Sequence, residues 1–386
     1  MKRLRIVVTS SHGLPHVGGM EILVDKEIRA LASLGHEVVQ ITSAEGGAGE
    51  APVYPPNVRI VRVASSGFLE KRFGLFLPLF SPRLVPILLR EIAQCDIVHS
   101  HAWLPFTSVA ALSIARFLEK PSILTEHNGI QPRRSRLFTG LSRLAMETLG
   151  RTCVRLAKRC VTYNCRVEKN LRCYGGPRKP IDFVPYPVDH ERFQPPKEAD
   201  RKASRVKLGW QEGRAKVLFV GRLVAEKGIP LLLAATDSAY DLVFCGSGDP
   251  SILGSLPRQG IEYLPPRPQA ELVSVYHAAD LLVLPSCVEG FPLVAREALA
   301  CGLKAVLAYD PGYEPYRALP NLSFCARTPE SVRAAIHSAL ARPLEDRASR
   351  EFDFSPQEWV RRIYRLGRPF QTQDRPPGLS LCARTD

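Results

Sequence analysis

The chain has 386 residues, of which 45% are hydrophobic and 23% charged, and its formal net charge is +14. That length suits two domains better than one, and that balance belongs to a soluble globular protein. No apolar run reaches the roughly 20 residues that cross a bilayer, and the apolar part of the N-terminal "MKRLRIVVTSS" is too short for a signal-peptide core, so a cytoplasmic protein is expected.

Short apolar runs alternate with helical segments twice over. The first series is "LRIVVTS", "EVVQITS", "VRIVRV", "DIVHSH", "SILTEH", "RCVTYN" and "DFVPYP", with helices between several of them, as at 19–34 and 107–118. A polar, proline-bearing stretch, 187–213, reads as the seam, with the junction early in it. The second series is "KVLFVG", "DLVFCG", "IEYLPP", "LLVLPS" and "KAVLAY", with helices near 228–236, 269–279, 292–301 and 329–342. Continuous apolar strands between helices signal parallel sheets covered on both faces. The fold class is therefore α/β, with two doubly wound Rossmann-like domains at 1–187 and 188–355. Ser355 caps a last helix within 356–366, with a return to the N-terminal domain open to it. Residues 367–386 read as a loose tail.

Ten cysteines without CxxC pairs or Cys/His clusters favour free, mostly structural thiols over disulfides or zinc. Residues 131–180 hold thirteen Lys/Arg against two acids, a local surplus of +11. Such a field draws in phosphorylated small molecules, an anionic membrane face or nucleic acid. A solvated basic face satisfies the same count.

Ligands of open parallel sheets sit beyond the carboxyl ends of the strands, where the chemistry-bearing residues fall. After the first strand, Gly18 and Gly19 open a helix, which lets backbone approach an anion closely. The spacing is not GxGxxG, and the second strand lacks the acid that would hold a dinucleotide ribose, so NAD is not expected. A plain tight turn needs the same glycines. In "VGRLVAEKG", Arg222 follows a strand and Lys227 starts a helix. A cation about 4 Å from a phosphate gains roughly 4 kcal/mol at an effective dielectric of 20, before desolvation. Surface cations near a turn are also common. Gly246 and Gly248 in "FCGSGDP" form another turn of the same kind, generic or ligand-facing. In "PSCVEGFPLVAREALACG", a buried strand hands over to a helix through Glu289, Gly290, Phe291 and Pro292. The N–H groups of Gly290, Phe291, Leu293 and Val294 can meet an anion. Glu289 and Glu297 can accept hydrogen bonds from hydroxyls, one from a sugar and the other from a ribose. Acids at a helix start are also favoured by the macrodipole alone.

"VGRLVAEKG", "GSGDP" and "EGFPLVAREALACG" closely resemble the nucleotide-sugar site of retaining glycosyltransferases of family 4, which have the GT-B fold. "VGGMEILVDKEIRALASLGHEVVQITS", "DIVHSHAW", "TEHNG" and "VPYPVDHERFQP" look like the same family's acceptor domain. The resemblance spans most of residues 4–366. It implies two domains facing across a cleft, the N-terminal one binding acceptor and the C-terminal one the donor. By position it implies that Arg222 and Lys227 hold the diphosphate, that Glu297 binds the ribose, and that Glu289 binds the transferred sugar. His127 would sit beside the anomeric carbon, although alone it also reads as a core histidine. The Gly18-Gly19 loop would close over the phosphates. Two departures stand out: Tyr186-Pro187 replaces a common Asn-Gly, and Pro292 replaces a common glycine, which removes an N–H donor.

The resemblance further implies front-face retention, with the leaving phosphate helping to deprotonate the acceptor. No DxD-like motif accompanies a strand end, so neither an obligatory metal nor a cofactor is expected. Residues 68–89, "FLEKRFGLFLPLFSPRLVPILL", interleave Phe and Leu with Lys71, Arg72 and Arg83. Together with 131–180 they suit an anionic membrane face and a lipid-linked or cell-envelope glycan acceptor. A buried connecting segment fits as well. Rival readings are a GT-B nucleotide-sugar epimerase, a non-catalytic sugar-nucleotide-binding protein and a nucleic-acid binder. For the last, Tyr163 and Tyr174 give sparse stacking support, and no nucleic acid is expected.

Overall fold

The computed structural model describes residues 2–16, 18–45, 52–68, 78–127, 140, 144–210, 213–255, 259–287, 289–345 and 354–366. The chain divides into two compact units. One runs to Tyr186 and resumes at Pro356; the other is Pro187–Ser355.

The N-terminal unit starts with β1 (Arg5–Thr9), β2 (Glu37–Ser43) and β3 (Val58–Val63). A short antiparallel pair follows, β4 (Ser65–Ser66) and β5 (Leu79–Phe80), and then β6 (Ile97–His101), β7 (Ser122–Thr125), β8 (Arg159–Thr162) and β9 (Ile181–Phe183). The main sheet is parallel in the order β3-β2-β1-β6-β7-β8-β9. Its centre is apolar on both faces, with Ile6, Val7, Val8 and Val98 fully buried, as a sheet covered by helices on both sides requires. Helices Leu84–Ala93 and Phe106–Phe117 pack Leu88, Ile92 and Ala111 against Val7, Val39 and Val98.

Helix Pro356–Tyr364 belongs to this unit and buries Trp359, Val360, Ile363 and Tyr364. Gln357 Nε2 donates to Ser33 Oγ at 3.3 Å. Just past it, Arg365 Nη2 reaches Asp182 Oδ1 at 3.0 Å, and Asp182 also accepts from the buried Arg159 at 2.6 Å.

The C-terminal unit has β10 (Ala215–Val220), β11 (Tyr240–Cys245), β12 (Ile261–Leu264), β13 (Leu281–Leu284), β14 (Lys304–Ala308) and β15 (Leu322–Cys325). They form one parallel sheet in the order β12-β11-β10-β13-β14-β15. The stretch read as a seam contains the helix Glu198–Leu208, whose buried positions include only Ser204. Arg201 and Arg205 both grip Asp280, Arg205 Nη2 at 2.6 Å, and Asp280 also accepts from the Lys216 N–H at 2.8 Å. A helix so polar is held by charge pairing instead of an apolar stripe, and its partner lies 75 residues from Arg205 and 79 from Arg201 in sequence.

Among the described residues Cys95, Cys153, Cys160, Cys173, Cys245, Cys287, Cys301 and Cys325 are free, and most are buried. Cys165 is disulfide-bonded, the exception among the described cysteines to the expected free thiols. No helix among the described residues is long and apolar enough to cross a membrane.

Candidate functional site

Strand order reverses between β1 and β6 in one sheet and between β10 and β13 in the other. Ligands of such sheets take the crevice beyond the carboxyl ends at these switch points. The loops after β10, β11 and β13 carry Arg222 and Lys227, Gly246 and Gly248, and Glu289 through Leu293.

The three loops are laced together by backbone. Leu223 N–H donates to the Ser247 carbonyl at 2.7 Å, Gly221 N–H to Cys245 at 3.0 Å, and Cys287 N–H to Glu226 at 2.9 Å. Two glycines make this possible. Gly228 has φ 82°, and an added Cβ would overlap the Pro285 carbonyl; at Gly246 the overlap would be with the Gly221 carbonyl. Neither obstacle is a side chain that can swing away. These glycines therefore admit protein backbone, and Gly248 likewise abuts Leu223.

Lys227 Nζ and Glu289 Oε1 form an ion pair between the first loop and the third, with side chains 25% and 16% exposed. Arg222 is exposed on the same first loop. Gly290 and Phe291 are buried, and Phe291 stacks on Tyr316 at 3.9 Å and meets Tyr313 edge-on at 5.2 Å. That clamp fixes the peptide leading into helix Leu293–Ala300, whose N-cap is Pro292. The first N–H groups of a helix have no partner within it, and such ends attract anions.

Glu297 lies inside that helix, 3% exposed. It accepts from Gln269 Nε2 and from the Tyr276 hydroxyl at 3.2 Å. Burial, and then the Glu297 charge, hold the Tyr276 hydroxyl well above its ordinary pKa, so it stays a donor. Lys227 and Glu289 are thus in contact, whereas Glu297 is held by separate partners on helix Gln269–Ala278.

In the N-terminal unit, Gly18 is the N-cap of helix Gly19–Ser33 in extended conformation, and the Glu21 carboxylate folds so close that an added Cβ would overlap it. Gly19 is exposed with open space at its Cβ position. The loop before it stacks His12 on His16 at 4.3 Å, with His12 Nδ1 3.2 Å from Ser43 Oγ.

His127 follows β7 and is 4% exposed. Both of its ring nitrogens face protein groups. Nε2 is 3.1 Å from His101 Nδ1, and Nδ1 is 3.1 Å from the Tyr163 hydroxyl and 3.2 Å from that of Tyr186. Burial, His101 and His99 lower its pKa well below 6.5, so the ring is neutral. Tyr186, which marked a departure from the family pattern, therefore belongs to the surroundings of His127. The next residues of "TEHNG", Asn128 and Gly129, lie outside the described residues, as do Val288, Lys71, Arg72 and Arg133, Arg134, Arg136 and Arg143 of the basic stretch.

Glu27, His99 and His101 extend this network and were not singled out from sequence. Their ligand atoms lie within 4.8 Å of one another, the one such grouping of metal-ligating side chains among the described residues. Glu27 Oε1 is already engaged by His99 Nδ1 at 2.6 Å and by the Tyr364 hydroxyl, which makes the group a hydrogen-bonded network. Its signals were present in sequence. Glu27 falls among the core positions Leu23, Val24, Ile28 and Leu31, and a buried strand repeats His at the period of two that shares one face.

Residues 17–192 match the family model described as Glycosyltransferase Family 4, and residues 200–350 match Glycosyl transferases group 1. D-inositol 3-phosphate glycosyltransferase of Corynebacterium kroppenstedtii is 30% identical over 346 residues, covering 79% of this chain and 75% of the relative. The enzyme of that name from Nocardia farcinica is 32% identical over 347 residues, covering 80% and 74%. Among solved structures, sucrose-phosphate synthase from Thermosynechococcus elongatus has a TM-score of 0.68 at 20% identity, covering 94% of each chain. Anabaena HepE in complex with UDP-glucose has a TM-score of 0.71 at 15% identity, covering 94% of this chain and 99% of its own. The chain belongs to glycosyltransferase family 4 and has the GT-B fold.

Proposed function

We propose that this glycosyltransferase moves a hexosyl unit from a nucleoside-diphosphate sugar to an acceptor hydroxyl, with retention of anomeric configuration. The observation that carries the reading is the convergence at the β10/β13 switch point. The loop bearing Arg222 and Lys227 is tied there to the loop bearing Glu289, which leads into helix Leu293–Ala300. HepE was solved in complex with UDP-glucose, which supports a donor of the same class here.

Breaking the glycosidic bond leaves charge on the diphosphate and makes the sugar carbon oxocarbenium-like. Arg222, Lys227 and the N–H groups of Gly290, Phe291 and Leu293 stabilise the departing charge, which is electrostatic catalysis by groups already in place. Glu289 accepts from the sugar hydroxyls and Glu297 from the ribose diol. His127 serves the anomeric carbon, and the Gly18-Gly19 loop the phosphates. With no carboxylate assigned to the opposite face, the leaving phosphate takes the acceptor proton on the face it departs from. Neither a metal nor a cofactor is assigned a role.

For the acceptor we propose an anionic glycan or lipid-linked glycan at a membrane surface, reached from the cytoplasmic side. Helix Leu84–Ala93 supports this: Leu84, Leu88 and Ile92 face the core, while Val85 is 48% and Leu89 41% exposed beside exposed Arg83 and Arg90. The names of the curated relatives favour a second reading, a soluble phosphorylated polyol.

The test is a panel of UDP-, GDP-, ADP- and dTDP-sugars in thermal shift and turnover, with the product anomer read by NMR. One donor class should stabilise the protein and give a product of unchanged configuration. An inverted product sinks retention, and no response to any donor sinks the reading.

A further inference from the structure

We infer that Glu27 is a positioning residue for His127, setting through His101 which nitrogen of the His127 ring carries its proton. The consequence for catalysis rests on the assignment of His127 to the sugar-transfer site.

Glu27 is fully buried on a core-facing position of helix Gly19–Ser33. A carboxylate survives there only if donors surround it. Its Oε1 takes His99 Nδ1–H at 2.6 Å and the Tyr364 O–H. Its Oε2 lies 3.0 Å from His101 Nε2, close enough for charge attraction but at an angle that makes no hydrogen bond. A ring nitrogen presenting a lone pair at that distance would be repelled, so the His101 proton sits on Nε2. His101 Nδ1 is then an acceptor, and the atom 3.1 Å away, His127 Nε2, must donate. That leaves His127 Nδ1 to accept from the Tyr163 and Tyr186 hydroxyls. The same charge fixes His99, whose Nδ1–H faces Glu27 while Nε2 accepts from the Thr125 hydroxyl at 2.7 Å. One buried anion thus sets three tautomers, since the proton on each ring is placed by the bond the other nitrogen makes. Burial favours the neutral acid, but His99 and His101 outweigh it and hold Glu27 ionised. A neutral, fixed ring at position 127 does not oppose positive charge developing on a sugar carbon, as an imidazolium would.

Nitrogen-15 NMR of the full wild-type chain labelled on histidine tests the proton placement directly. At neutral pH, His101 and His127 should carry the proton on Nε2 and His99 on Nδ1. A His127 protonated on Nδ1, or on both nitrogens, overturns the inference without any variant. In Glu27→Gln the amide must turn an N–H toward His99 or His101, which reverses that ring. A reversed His101 should reverse His127 with it, and a reversed His101 beside an unchanged His127 overturns the relay. Turnover should fall about 10- to 100-fold, as when the outer partner of a functional histidine is lost, with donor KM little changed. Unchanged tautomers and turnover in a folded Glu27→Gln protein would show a purely structural role. If wild type turns over no nucleotide sugar, the transferase reading fails, and the proton placement is still decided by the spectrum.

Discussion

Lys227 and Glu289 are ion-paired across two loops that follow neighbouring strands of one sheet. On the proposed assignment of these residues, the pairing makes donor binding an exchange. A diphosphate that takes the ammonium releases the carboxylate, and the released carboxylate can then accept from sugar hydroxyls. Lys227→Ala should lower turnover about 100- to 1000-fold, the cost of losing one preorganised charge partner. Stability should move by no more than about 1 kcal/mol, because the pair is partly exposed. Steady-state kinetics beside a denaturant melt checks both, and near-normal turnover removes Lys227 from the mechanism.

Glu297 should separate binding from chemistry. Hydrogen bonds to a charged group are worth about 1.5–3 kcal/mol, so Glu297→Gln should weaken donor affinity roughly 10- to 100-fold. Calorimetric titration against the nucleoside diphosphate alone isolates the ribose contribution. Equal losses for a ribose-free diphosphate would place Glu297 elsewhere. Glu297→Ala should also cost stability, about 1–3 kcal/mol, by leaving the buried Tyr276 hydroxyl without its acceptor.

Acid should lower the stability of the protein over two pH ranges. Burial, then His101 and His99, depress His127 below 6.5, and burial first also depresses His99. The unfolded chain therefore takes up these protons first, so their stabilising effect is complete above pH 6.5 and is lost as pH falls through the folded values. Carboxylates follow. At Glu91 burial raises the pKa, but Arg90, Arg59 and Arg5 outweigh it and leave it below 4.5. Its contribution is present above pH 4.5 and lost below. Chemical-denaturation midpoints between pH 7.5 and 4 should decline accordingly, and His127→Gln should flatten the decline that starts near 6.5. An unchanged profile in that variant contradicts the assignment.

Helix Leu84–Ala93 gives the membrane proposal a specific test. The double substitution Val85→Glu, Leu89→Glu places acids on its exposed face without touching Leu84, Leu88 or Ile92. Each basic residue near an anionic surface contributes about 1 kcal/mol, and acids there oppose it. Sedimentation with phosphatidylserine vesicles at moderate salt should fall several-fold, while turnover on a soluble acceptor stays unchanged. Equal sedimentation of variant and wild type moves the contact off this helix.

Both sheets were legible because their strands bury both faces. "RIVVT", "IVHSH" and "LLVL" are strands without an exposed residue in the middle, and such runs between helices admit few other folds. The loops proposed to hold the donor stood out for a local reason: Arg222, Lys227, Glu289 and Glu297 follow strands at fixed spacing. Helix Glu198–Leu208 was not, because its apolar face is nearly absent and its anchor, Asp280, lies far along the chain. Residues 68–89 read as an interfacial run or as a buried connecting segment, and from Leu84 they enter a helix that has both a core-facing stripe and an exposed apolar edge. The Glu27 network escaped because each member, taken singly, reads as an ordinary surface acid or core histidine. Only the sheet register, His99 beside Ile123 and His101 beside Thr125, brings them near His127.

Tyr364 covers Glu27 and His99 from a helix separated from the rest of its unit by the whole C-terminal sheet. Translation therefore delivers the N-terminal unit unfinished. A growing chain that has completed β9 still lacks the hydroxyl that seals a buried anion, and it lacks the buried side chains of Trp359 and Ile363. Domains ordinarily mature in the order of synthesis. Here the earlier-made half must await a helix made after the whole C-terminal sheet, so a chain stalled before residue 356 would lack the part that completes its first unit.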